Sequence, residues 1–311
     1  MPVSIVPNRE LPFAERIAQR SRAISSRLVV GLDPVLDRMP TALSQVDPER
    51  ALESFAAGVL EVVAHDALAV KVQVAFYERY GWRGWRALQH TVEFAARLGI
   101  PVIADAKRGD IGTTAAAYAD AFLGDDPATP GPFVDALTIN PYLGGDSIAP
   151  FLERAIAGRR GLFLLARTSN PGGADFQGRE TNGEALYLAV ARAATAWQTH
   201  ALGGTLVGYG PLGLVSGATF PTELRAIRAA APHSVLLLPG IGAQGAKVTD
   251  VLDAFDAAGD GAVAAASRSI IYATATSADW QAPIAAAARA HRLELEDALR
   301  RRAETAGKRR G

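Results

Sequence analysis

Eight apolar runs of strand length punctuate the chain: "RLVVGLD" (27–33), "LAVKVQVAF" (68–76), "PVIADAK" (101–107), "VDALTIN" (134–140), "GLFLLAR" (161–167), "LGLVSGAT" (212–219), "SVLLLPG" (234–240) and "GAVAAAS" (261–267). Segments of helical composition separate them, among them 48–64, 83–98, 181–201, 221–231 and 247–258. Strands this apolar have no solvent face, so they need cover on both sides, which a parallel sheet clothed in helices provides. Eight strand-helix units predict a closed (β/α)₈ TIM barrel. An open doubly wound sheet shares the periodicity, and in both architectures ligands bind at the carboxyl ends of the strands.

The 311 residues, 49% hydrophobic and 21% charged, supply a large core and fit one barrel domain. We expect an N-terminal helical extension at 1–26, the barrel at 27–275, and C-terminal helices at 276–311. The closing "GKRRG" reads as a frayed, solvated end. Basic and acidic residues number 32 each, so the overall charge points to neither nucleic acid nor an anionic membrane as a partner. With no cysteine, disulfides, thiolate metal sites and a cysteine nucleophile are excluded. The polar N-terminus and the lack of any bilayer-length apolar run suggest a cytoplasmic protein.

Polar residues at the strand ends are the candidates for function: Asp33, Lys71, Asp105 with Lys107, Asn140, Arg167 with Thr168 and Ser169, then "PGIGAQG" and "SRS". Asp105 and Lys107 are two apart and should share a strand face, with Asp110 in the loop beyond. Taken alone, one such strand end could be a solvated face with ordinary ion pairs. Lysine is scarce, however: only four of the 32 basic residues are lysines, at 71, 107, 247 and 308. Lys71 sits mid-run in "ALAVKVQVAF", where an unpaired ammonium is expensive. If sequential strands pair, Asp33 and Asp105 flank it, either as a structural ion pair or as part of a site. A lysine between carboxylates stays an ammonium, suited to act as a cation or general acid rather than a Schiff-base nucleophile. The five histidines lie mostly in helical segments and read as surface or packing residues.

"PGIGAQGAKVTD" follows the seventh run and "AASRSIIYA" the eighth. Gly240, Gly242 and Gly245 let backbone N–H groups approach an anion, as barrels commonly do for phosphate near these two strands. Gln244 could close over that phosphate and Arg268 clamp it in a charge-assisted pair. "RTSNPGGADFQ" offers Thr168, Ser169 and Asn170, with a polar turn as the plainer reading.

The ordered set of "LVVGLDP", "AVKVQVAFYERYG", "ADAKRGDIG", "TINPYLGGDS", "RTSNPGG", "PGIGAQG" and "SRSIIYA" resembles the orotidine 5′-phosphate decarboxylase family over about 26–275. Its bacterial subgroup with "KRGDIG" and "NPYLG" signatures is the nearest in pattern, although Val72 stands where that subgroup often has proline. The resemblance implies cofactor-free and metal-free conversion of orotidine 5′-phosphate (OMP) to UMP and CO2 in pyrimidine synthesis. It further implies that Asp33 and Lys71 hold the ribose hydroxyls, that Asp105 lies beside the substrate carboxylate, and that Lys107 stabilises and then protonates a C6 carbanion. Asp110 would come from the other subunit of a homodimer, with Thr114 nearby on the ribose; Ser169 would read the pyrimidine, and Gln244 and Arg268 would hold the 5′-phosphate. Arg108, Asn140 and Arg167 match the subgroup without an assigned step. Alternatives are a Mg²⁺-dependent sugar-phosphate decarboxylase or synthase of the same superfamily, a Schiff-base aldolase, and a non-catalytic nucleotide sensor.

Overall fold

A computed structural model describes residues 10–126, 128, 130–241, 247–273 and 279–308. All eight apolar runs form strands: β1 Leu28–Leu32, β2 Ala69–Gln73, β3 Val102–Arg108, β4 Ala136–Ile139, β5 Gly161–Arg167, β6 Leu212–Ser216, β7 Leu236–Pro239 and β8 Ala262–Ala266. Each pairs in parallel with its sequence neighbours, and β8 returns to β1 through Leu28 opposite Ala264. That last pairing makes the sheet a closed barrel and excludes the open one.

Helices Pro48–Val63, Gly81–Arg97, Gly112–Leu123, Gly145–Ala157, Leu186–Ala201 and Pro221–Ala230 cover the outside. Two segments differ from expectation. The stretch read as one helix over 181–201 opens with a hairpin, Glu180–Thr181 against Glu184–Ala185, and only then becomes helical. Asn182 and Gly183, with φ of 55° and 78°, form the two-residue Asn-Gly turn that favours this hairpin. The 247–258 segment is a 3₁₀ turn, Val248–Ala254, rather than an α-helix.

Outward strand residues pack against the helices, and inward ones such as Val29, Ile103, Phe163, Val215 and Val263 fill the barrel. Helix Phe13–Ile24 is more than an extension, because Phe13, Ala14 and Ile17 join that interior cluster from the amino ends of the strands. Phe13 meets Phe163 edge-on at 6.0 Å, and a Cβ on Gly161 would overlap the Phe13 ring. Arg16 pairs with buried Asp135 at 2.5 Å. Arg20 caps three carbonyls, those of Ala64, Ala67 and Leu68, and burial lowers its guanidinium to about 10. This helix therefore plugs the bottom of the barrel.

The C-terminal helix Gln281–Lys308 packs on helix Pro48–Val63. Residues 309–311 of the basic tail lie outside the described residues. Among the described residues, no helix is long and apolar enough to cross a membrane.

Candidate active site

The charged strand ends converge at the carboxyl mouth. Lys71 on β2 lies in register with Gly31 of β1 on one side and Ile103 of β3 on the other, and Gln73 faces Asp105. From that register the Lys71 Nζ donates to Asp105 Oδ2 at 2.8 Å, and Gln73 Nε2 donates to the same oxygen at 3.2 Å. Lys107 Nζ reaches Asp105 Oδ1 at 2.5 Å, where the Thr138 hydroxyl also donates at 3.0 Å. One carboxylate thus accepts four donors from three strands.

Asp105 and Lys107 do meet, although not as neighbours on a regular strand face. The β3–β4 register shifts between Ala104 and Arg108, and Lys107 adopts φ 49°, the left-handed region a side-chain-bearing residue avoids. The bulge re-aims the lysine into the mouth.

Burial alone would raise the Asp105 carboxyl, but the charges of Lys71 and Lys107 outweigh it and hold Asp105 well below the usual carboxylate range. Burial would lower Lys71, yet Asp105 and Asp33 together carry it above the ordinary lysine value. The array is therefore fixed as two ammonium groups around a carboxylate. Its two lysines differ in access: the Lys71 side chain is 8% exposed and Lys107 is 44% exposed, so Lys107 is the one open to a ligand. Asp33 has a buried Oδ1 with no hydrogen-bond partner among the described residues, an acceptor awaiting a donor such as a hydroxyl.

These groups line a cavity of about 440 Å³, a size suited to one nucleotide-sized ligand. Asp33, Lys71, Asp105 and Lys107 stand in its wall together with Ser169 and Arg268, over an apolar floor of Leu165, Val215, Leu237 and Ala265. Gly240 of "PGIGAQG" also lines it, with φ 105° that a residue with a Cβ would resist. Gln244, with Gly242 and Gly245, lies outside the described residues. Arg268 opens a single helical turn, Arg268–Ile271, after β8.

Two candidates do not join their own chain's cavity. Asp110 accepts a hydrogen bond from the adjacent Ile111 N at 2.8 Å, and Thr114 is exposed on the helix that follows. Of the unassigned charges, Arg108 pairs with Glu78 and lies over the Tyr118 ring, away from the mouth. Arg167 is buried against Glu223 and stacks 3.9 Å over Phe220, supporting the "RTSN" loop from beneath. Asn140 is exposed and caps Tyr142 N at 3.0 Å.

Sequence reasoning missed Thr138, Gln73 and Tyr272. Gln73 is two residues from Lys71 and shares its face, a signal that was available. Thr138 is a lone hydroxyl inside "VDALTIN", where attention falls on the terminal Asn140. The Tyr272 hydroxyl donates to Asp33 O at 2.7 Å and accepts from Val35 N at 2.8 Å, fixing the loop after β1. Arg38 from that loop lies 4.0 Å over the Tyr272 ring and also lines the cavity.

A closed parallel barrel with a fixed lysine-carboxylate array and an arginine at one mouth defines a barrel enzyme that acts on a small anionic substrate by electrostatics. Its relatives narrow that class. The model of the orotidine 5′-phosphate decarboxylase / HUMPS family matches residues 26–282, and the chain belongs to that family. The chain is 40% identical over 293 residues to the orotidine 5′-phosphate decarboxylase of Rhodopirellula baltica, covering 89% of this chain and 96% of that protein. It is 41% identical to the Deinococcus radiodurans orotidine 5′-phosphate decarboxylase over 261 residues, 84% and 89% of the two chains. The solved structure of Leishmania donovani OMP decarboxylase superposes with a TM-score of 0.75 at 32% identity, covering 93% of this chain and 99% of that one.

Proposed function

We propose that this chain is a carboxy-lyase that converts OMP to UMP and CO2, a step of pyrimidine biosynthesis. The observation that carries this reading is the Lys71–Asp105–Lys107 array beside an Asp33 oxygen that has no hydrogen-bond partner among the described residues, all in one cavity. The bond from C6 to the carboxylate carbon breaks, CO2 departs, and the electron pair remains on C6. The Lys107 ammonium faces that developing charge without reorganising, then gives its proton to C6 and regains one from solvent. Asp105 stands beside the departing carboxylate, where like charge disfavours the bound ground state.

Asp33 Oδ1 and Lys71 take the ribose hydroxyls, Ser169 the pyrimidine edge, and Arg268 with Gln244 the 5′-phosphate. Contacts to the phosphate supply binding energy that is used at C6. The "KRGDIG" and "NPYLG" segments support a reading of the chain as a member of the family's bacterial subgroup. A cysteine-free chain suits a reducing cytoplasm, the compartment we propose.

We further propose a homodimer in which Asp110 and Thr114 complete the neighbour's site. Neither lines its own chain's cavity, and exposed apolar side chains lie in the same segments: Ile111 next in sequence, then Tyr142 and Leu143 on the adjacent loop. The two loops touch, since Asn140 N bonds Arg108 O at 2.8 Å.

A Mg²⁺-dependent reaction on a sugar phosphate would need acidic oxygens free to hold the ion. Both oxygens of Asp105 are already engaged by ammonium groups, and among the described residues no cluster of three acidic or histidine side chains could hold a metal. Turnover of OMP, followed as loss of its absorbance and appearance of UMP, tests the function. Tight UMP binding without turnover would instead support a nucleotide sensor.

A further inference from the structure

Strands β3 and β4 do not pair evenly. Ala104 faces Leu137 and Arg108 faces Ile139, so Asp105, Ala106 and Lys107 stand opposite Thr138 alone. Residues extruded in this way lose ladder partners, and a buried backbone N–H must find a substitute. Thr138 provides it. Its Oγ1 accepts from Lys107 N at 2.9 Å and, with a lone pair so used, turns its own hydrogen to Asp105 Oδ1 at 3.0 Å. The same carboxylate oxygen receives Lys107 Nζ at 2.5 Å. A ring results, from the Lys107 backbone through the hydroxyl and carboxylate back to the ammonium of the same lysine. Thr138 is 1% exposed, so water does not compete for these bonds.

We propose that Thr138 is a positioning residue of the decarboxylation. Its hydroxyl fixes the left-handed turn at Lys107 and the rotamer of Asp105 together, and so sets where the ammonium stands against C6. This inference rests on the proposed reaction. Thr138 lines the cavity, but its hydroxyl is already engaged by Lys107 N and Asp105 Oδ1, so its effect should fall on the chemical step rather than on nucleotide binding. Valine preserves the shape and β-branching but leaves the Lys107 N–H unpaired and releases one restraint on Asp105. Serine preserves the hydroxyl.

The test compares wild type, Thr138→Val and Thr138→Ser by kcat and KM for OMP and by Kd for UMP. A displacement of the lysine by a fraction of an ångström to one ångström should lower kcat of Thr138→Val by about 30- to 100-fold. Its Kd for UMP should stay within about 3-fold of wild type, and Thr138→Ser should keep kcat within about 3-fold. Where the valine variant does not fold, Thr138→Ala provides the same comparison. A hydroxyl-free variant with wild-type kcat overturns the proposal, as does a fall in UMP affinity parallel to kcat, the mark of a generally disrupted site. Wild-type protein without OMP turnover removes the functional reading and this inference with it, whereas an active wild type beside an unimpaired Thr138→Val contradicts the role of Thr138 alone.

Discussion

Asp105 binds two ammonium groups at once, Lys71 at 2.8 Å on one oxygen and Lys107 at 2.5 Å on the other, from its own strand and the neighbouring one. The arrangement separates two roles. Buried Lys71 locks the carboxylate, and half-exposed Lys107 is held by it at the edge of the cavity. Positive charge is thereby fixed before substrate arrives, which is the condition for electrostatic catalysis without solvent reorganisation.

Replacing Asp105 by asparagine leaves Lys71 buried without its partner and should cost about 3 kcal/mol at pH 7. The pH dependence follows from the two shifts. A depressed carboxyl contributes stability that is present above its unfolded value and lost as pH falls through its folded value. Raised Lys71 contributes below its unfolded value, and that contribution is lost as pH rises through its higher folded value. The array therefore supports the fold fully between about pH 4 and about pH 10. Denaturant melts of wild type and Asp105→Asn should show a stability gap at pH 7 that narrows at pH 3; an equal gap at both contradicts the assigned charge state.

If Asp110 serves the neighbouring site, two inactive variants should complement each other. A mixed dimer of Lys107→Ala and Asp110→Asn has one site with both residues intact, so random reassociation should restore roughly a quarter of wild-type activity. Failure to recover activity after verified subunit exchange would place Asp110 in its own chain's site or outside the chemistry.

The plug at the barrel bottom should matter to stability and not to chemistry. Arg16 and Asp135 are both buried, and Asp135 Oδ2 also accepts Val102 N at 2.9 Å. Arg16→Ala removes the nearer of that carboxylate's two cations, leaving Arg160 at 3.9 Å, and should lower unfolding free energy by up to about 3 kcal/mol, with kcat and KM of the folded enzyme unchanged. Urea melts alongside steady-state kinetics check this, and a changed kcat would show coupling between the two ends of the barrel.

Arg268 should act mainly in binding. A charge-assisted hydrogen bond to phosphate contributes about 1.5–3 kcal/mol, so Arg268→Ala should raise KM for OMP roughly 10- to 100-fold. An unchanged KM would remove the phosphate from that end of the cavity.

The barrel was legible because strands covered on both faces must be continuously apolar, and all eight announced themselves this way. Asp33, Lys71, Asp105 and Lys107 were legible as charges interrupting or ending those runs. The hairpin before Leu186 was hidden by its Ala-rich sequel despite the Asn-Gly signal. The plug was hidden by three arginines and a glutamate in "FAERIAQRSR", where Arg16 and Arg20 find their partners far along the chain, at Asp135 and the Leu68 carbonyl. Thr138 was not legible at all, since its role depends on a register shift between two strands that no local pattern encodes.

The central claim is that the Lys107 ammonium stabilises and protonates C6. Its most direct measurement is the rate of UMP formation from OMP by Lys107→Ala, with UMP affinity and folding measured on the same preparation. The expected result is a folded protein that binds UMP and has lost about 10³-fold or more of its turnover. A folded Lys107→Ala variant within about tenfold of the wild-type rate would contradict the account.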